Sequence, residues 1–176
     1  MSNNPEKPVI DVSKLDPDFK YEVAKEPGGE AIVRCYACGT CTASCPVRAI
    51  NDKYNPRKII HMVLLGMKKE VLTSEFVWLC SNCYACQERC PQDVQITDIM
   101  RALGNISVRN GNIQQVHQMQ LKTIAECGRI YQIDDFDNKS RQKDNLPSLS
   151  TKSDDILKLL KSSRLGKYLE SDKENG

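Results

Sequence analysis

The chain has 176 residues, enough for one compact domain with appendages or at most two small ones, and only 6% are aromatic, which excludes a large aromatic core. Twenty-five Lys and Arg stand against 23 Asp and Glu, a net charge of +2 with no long block of one sign, so a basic stripe for nucleic acid is not indicated. Something other than apolar burial has to help hold the middle of the chain together.

Residues 1–30 are polar, carry Pro5, Pro8, Pro17 and Pro27, and end in "EPGGE"; they read as an N-terminal arm with one short strand around Tyr21 to Val23. The opening "MSNNPEKPVIDVSKLD" has no apolar run between a basic region and a small-residue cleavage site, so it does not read as a signal peptide. Residues 31–130 hold the cysteine-rich core. Within it, Asn55 is placed to cap a helix with Pro56 in its first turn, and Ile59, Ile60, Val63, Leu64 and Met67 follow at helical spacing. Thr73 or Ser74 then caps a short helix through Phe76 and Trp78 that delivers Cys80.

Beyond the cysteines, "ITDIMRALGNISVRNGN" predicts a helix from about Thr97 or Asp98 to just before Gly111. "NIQQVHQMQLKTIAECG" predicts another, capped by Asn112 and stopped at Gly128. Residues 131–153, rich in Asp, Asn, Lys and Ser, read as a mobile linker. Residues 154–170 form an amphipathic helix with Ile156, Leu157, Leu160 and Leu165 available for one face, to pack back on its own domain or to dock on a partner. The longest apolar run, Ile59 to Met67, is far short of the roughly 20 residues a membrane span needs, so a soluble, cytoplasmic protein is expected.

Nine cysteines then need a role under reducing conditions, where structural disulfides are disfavoured, and an odd number argues against a fully paired framework. Eight of them form two copies of C-x2-C-x2-C-x3-C-P: Cys35, Cys38, Cys41, Cys45 and Pro46, then Cys80, Cys83, Cys86, Cys90 and Pro91, each cysteine 45 residues after its counterpart. This is the two-cluster bacterial ferredoxin pattern, in which three closely spaced thiolates serve one cubane and the fourth serves the other. The assignment is Cys35, Cys38, Cys41 and Cys90 for one [4Fe–4S] cluster, and Cys80, Cys83, Cys86 and Cys45 for the second. Zinc is the rival, but zinc sites take two C-x2-C pairs per ion, whereas here three evenly spaced cysteines and a Cys-Pro recur as a unit. Pro46 and Pro91 fix the turn behind each fourth ligand, and Gly39 lets the backbone approach the sulfurs.

Two clusters with exchanged ligands lie close together, so the chain reads as an electron relay. No dinucleotide fingerprint, phosphate-binding loop or nucleophile elbow is present, and no catalytic residue is assigned. His61 and His117 read as packed or surface residues, Trp78 as a shield of the cluster from water, and Cys127 as a buried thiol or helix-end residue with a redox role as the alternative. Arg34, Arg48 and Arg89 either offset cluster charge or are solvated surface arginines.

"CYACGTCTASCP", the Pro-Arg-Lys helix, the Leu65-Gly66 pair, the "WLC" that leads into the second motif and "VQITDIMRALGNISVRNGN" together resemble the C subunits of heterodisulfide reductase over about residues 31–130. The resemblance implies a mainly α, α-helical ferredoxin-like domain with two [4Fe–4S] clusters, extended by the polar arm and the C-terminal helix. It also implies electron transfer between a flavin-containing A subunit and a CCG-motif B subunit that cleaves the heterodisulfide of coenzyme M and coenzyme B, in a hetero-oligomer such as a dimer of heterotrimers or larger. The CCG motifs are absent here, since Cys127-Gly128 follows Glu126, so disulfide cleavage is not expected in this chain. The alternative is the iron–sulfur subunit of another flavin-dependent complex, of glycolate oxidase or fumarate reductase type.

Overall fold

A computed structural model describes residues 10–169. As expected the chain is mainly α: ten α-helices and no strand occur among the described residues. Two compact units meet in the sequence between Asn112 and Ile113, so the boundary falls earlier than the expected one near residue 130.

In the first unit a 3-10 turn at Val12–Lys14 precedes α1, Phe19–Ala24. Another 3-10 turn, Ile32–Arg34, leads to α2, Thr40–Ala43, and α3, Pro46–Ile50. Helix α4, Pro56–Leu64, begins as its sequence dictates: the Asn55 side chain accepts from the Lys58 backbone N–H and Pro56 occupies the first turn. The helix stops short of Met67 because Gly66 turns the chain with φ +80°, and Met67 instead caps α5, Lys68–Leu72. The expected short helix before Cys80 is a 3-10 turn, Glu75–Leu79, after Ser74. Helices α6, Ala85–Glu88, and α7, Ile96–Arg109, complete the unit.

Helix α7 organises the core. Ile96, Ile99, Met100, Leu103 and Ile106 recur at three- and four-residue spacing, and all five are buried among Ile59, Ile60, Val63, Val71 and Val77. Each such side chain contributes about 1.5–3 kcal/mol of burial before the entropy of ordering is counted. The Trp78 ring faces Gly104 on this helix, where an added Cβ would come to rest 3.7 Å away.

The expected strand at Tyr21 to Val23 is instead part of α1, because Phe19 and Val23, four residues apart on one helical face, are fully buried. The core contact decides for a helix. These residues are therefore core, not arm. The close approach of Asp16 to Gly66 makes the same point: the Asp16 N–H donates to the Gly66 carbonyl at 2.9 Å. A Cβ on Gly66 would lie 2.2 Å from the Asp16 carbonyl oxygen. The first nine residues of the expected arm lie outside the described residues.

In the second unit, α8, Gln115–Cys127, ends at Gly128, as its sequence indicates. The expected linker contains a helix, α9, Asp135–Lys143. Its composition is as polar as noted and it buries no residue, but local capping chemistry builds it: Asp134 and Asp137 form a reciprocal capping box. Asn138 then clasps the returning chain, accepting from the Leu149 N–H at 2.8 Å and donating to the Leu149 carbonyl at 3.1 Å. Helix α10, Asp154–Ser162, is shorter than the expected 154–170, and a 3-10 turn at Gly166–Tyr168 follows. It packs on α8 with Ile156, Leu157 and Leu160 half-buried, while Leu159 stays exposed.

Candidate metal centre

The two cysteine motifs repeat in backbone as well as in sequence. Each follows a 3-10 turn, and Cys35 and Cys80 are extended with nearly equal angles, φ −70° ψ 119° and φ −66° ψ 120°. Two residues on, Ala37 and Asn82 take left-handed φ of 60° and 52°. Two further on, Gly39 and Tyr84 do so again, at 91° and 62°, and start α2 and α6. Alternating extended and left-handed residues of this kind make a concave backbone turn. Gly39 takes this conformation without strain, whereas Tyr84 is held in it by Arg101, whose guanidinium hydrogen-bonds the Tyr84 hydroxyl and lies 5.4 Å from its ring.

Burial repeats too. Cys38 and Cys83 are exposed, Cys41 and Cys86 are buried on α2 and α6, and the remaining four motif cysteines are intermediate. The two short helices pack on each other. The repeat breaks after the fourth cysteine. Cys45 runs directly into α3, but Cys90 enters a turn in which Asp93 has φ 51° and the Val94 N–H donates to Cys90 Sγ at 3.3 Å.

A small recess is lined by Cys80, Cys83 and Cys86 of the second motif and by Cys45 of the first, with Tyr54 and Thr97 among its other walls. Its cysteine donors come with no carboxylate or imidazole among the lining residues, the donor set an iron–sulfur cubane takes. Tyr54 is 2% exposed and Thr97 1%. The Thr97 Oγ1 lies 3.6 Å from Cys86 Sγ. Burial first, then the charge of Cys80 and a hydrogen bond to it, push the Tyr54 phenol well above its ordinary range.

On the other side Tyr36 is 60% exposed, and desolvation, then a hydrogen bond to Cys38 and the charges of Cys38, Cys90 and Cys35, raise its phenol above the ordinary range. The Ala37 N–H donates to Cys35 Sγ at 3.4 Å. Thr40 Oγ1 is 3.4 Å from Cys38 Sγ, and hydrogen bonding from Thr40 lowers the Cys38 thiol. Burial, with smaller contributions from Cys35 and Cys86, pushes Cys41 up to about 11, and burial raises Cys86 likewise. Among the described residues no three His, Cys, Asp or Glu side chains converge on a single ion. A cubane asks for looser convergence, since each of its irons takes one thiolate.

His61 and His117 are exposed, in keeping with the surface reading. Arg34 and Arg89 are exposed as well, and Arg48 pairs with Asp52. Trp78 packs toward α7. Cys127 is buried in the second unit with its Sγ 2.9 Å from the Thr123 carbonyl oxygen, an ordinary helix-end thiol. Sequence reasoning missed Tyr54 and Thr97, because neither residue type signals iron–sulfur ligation; only the fold brings them to the cysteines.

A family model described as a 4Fe–4S dicluster domain matches residues 31–94. The C2 iron–sulfur subunit of the CoB–CoM heterodisulfide reductase of Methanocaldococcus jannaschii is 38% identical, over 81% of this chain and 79% of that one. The corresponding iron–sulfur C subunit of Methanopyrus kandleri is 32% identical over 98% of this chain and 96% of its own. The chain belongs to the family of heterodisulfide reductase C subunits. A third member, the C subunit of the H2:CoB–CoM heterodisulfide,ferredoxin reductase of Methanothermobacter thermautotrophicus, is 31% identical over 82% of this chain. All eight motif cysteines of the present C subunit fall inside the dicluster match. No helix among the described residues is long and apolar enough to cross a membrane.

Proposed function

We propose that this chain is the electron-relay subunit of a cytoplasmic heterodisulfide reductase, holding two [4Fe–4S] clusters. Cys35, Cys38, Cys41 and Cys90 hold one, and Cys80, Cys83, Cys86 and Cys45 the other. The observation that carries this reading is the recess in which Cys45 joins the three cysteines of the second motif. Each cluster, when bound, supplies a reversible one-electron step.

The residues explain why such a chain conducts. Buried Cys41 and Cys86, on packed helices, keep the two sites adjacent, while exposed Cys38 and Cys83 bring one edge of each site to the surface. With clusters bound, the edges at Cys38 and Cys83 would be where electrons could pass to and from partners. The partners are a flavin-containing A subunit and a CCG-motif B subunit, and the chemistry on a disulfide such as that of coenzymes M and B occurs in the B subunit. No group in this chain acts on substrate.

Anaerobic isolation of the native complex through a tag on this chain tests the proposal. Recovery of a flavoprotein together with a partner bearing two CCG motifs, with eight irons and no zinc per relay chain, is expected. Recovery of a hydroxyacid or dicarboxylate flavoprotein alone overturns it.

A further inference from the structure

The two cysteine groups differ in what hydrogen-bonds their sulfurs. At the first, backbone N–H groups donate, Ala37 to Cys35 and Val94 to Cys90; the hydroxyls of Tyr36 and Thr40 stand at Cys38, which is exposed so that water competes, and Thr42, beside Cys41, gives its proton to Asn55. At the second, Tyr54 and Thr97 line the recess with Cys80 and Cys86 and are almost unexposed, and the Thr97 hydroxyl lies 3.6 Å from Cys86 Sγ. Thr97 and Ser107 are the buried polar residues of the first unit among those described, and Ser107 is satisfied by the carbonyls of Leu72 and Asn112. Thr97 has Cys86 Sγ. Buried hydroxyls are placed where they find a partner, and here that partner is a cysteine sulfur.

We infer that Tyr54 and Thr97 are tuning residues that raise the reduction potential of the second-motif cluster relative to the first-motif cluster. The inference rests on the ligand assignment proposed above. Reduction adds negative charge that spreads onto the thiolate sulfurs, so a neutral donor pointed at them stabilises the reduced form more than the oxidised one. Burial makes each donor stronger, because the local dielectric is low and no water replaces it when it is removed. Both residues are fixed. Tyr54 precedes the Asn55 cap of α4 and its N–H donates to the Asn51 carbonyl at 3.1 Å, and Thr97 lies in the first turn of α7.

The test is an EPR-monitored redox titration of the full chain, reconstituted anaerobically, with iron counted first. Wild type lacking eight irons refutes the ligand assignment and not the tuning itself. With eight irons present, Tyr54→Phe and Thr97→Val should each lower the same one of the two midpoints, additively in the double variant, and leave the other in place. Thr97→Ser, which keeps the hydroxyl, should restore the wild-type value. Full iron with neither midpoint moved, or with both moved together, overturns the inference. Loss of the cluster in Tyr54→Phe removes Tyr54 from it as a structural residue, and the Thr97→Val and Thr97→Ser pair then decides.

Discussion

The Thr42 hydroxyl donates to the side-chain oxygen of Asn55 across 2.8 Å, tying the helix that carries Cys41 to the start of α4. The same Asn55 oxygen accepts the Lys58 N–H at 2.9 Å, and Thr42 Oγ1 accepts the Arg57 N–H at 3.0 Å. Tyr54 is the neighbour of Asn55, so this knot also sets the wall of the recess. Thr42→Val and Asn55→Ala should each cost about 1–2 kcal/mol of stability, read by chemical denaturation of the cluster-loaded protein. Losses of only a few tenths would mean the knot is not structural.

Phe19 and Val23 should behave as core residues. Phe19→Ala removes a side chain with no exposure and should cost about 3–5 kcal/mol. Gly66→Ala adds a Cβ into the Asp16 backbone at a positive φ, where the conformation alone costs about 1–3 kcal/mol. Thermal unfolding of both variants checks this; a dispensable arm would leave the first near wild type.

The cysteine rhythm was readable because ligation demands one residue type at fixed spacing. Helices α7 and α8 were readable because their periodicity is long and their stops are ordinary. What escaped notice depended on tertiary contacts. Phe19 and Val23 signal a helix only once a core exists to receive them, and Gly66 ends α4 because Asp16, fifty residues away in sequence, lies against it. Helix α9 escaped because composition was weighed and the Asp134–Asp137 capping box was not.

Lys68 joins α5 to α1, its Nζ 2.5 Å from Glu22 and 3.7 Å from Asp16. The hydrogen bond to Glu22 raises its pKa above 10.5. A raised lysine stabilises the fold fully below the unfolded value and loses that contribution as pH climbs through the folded one. Lys68→Met should therefore lower stability by about 1 kcal/mol or less at neutral pH, and the gap should close only in strongly alkaline solution. A gap that closes near neutrality would point to some other origin.

Deleting residues from 154 onward removes α10, which packs on α8. The second unit should lose its cooperative unfolding and the complex its yield on pull-down, with iron per chain unchanged. Loss of iron in step with the deletion would contradict the independence of the cysteine core from this helix.

The crossed arrangement is the central claim, and single cysteine variants compared pairwise by EPR test it most directly. Cys45→Ser and Cys83→Ser should abolish or alter the same signal and spare the same other one, while Cys90→Ser groups with Cys38→Ser. If Cys45→Ser instead groups with Cys38→Ser, each motif binds its own cluster and the crossing is wrong.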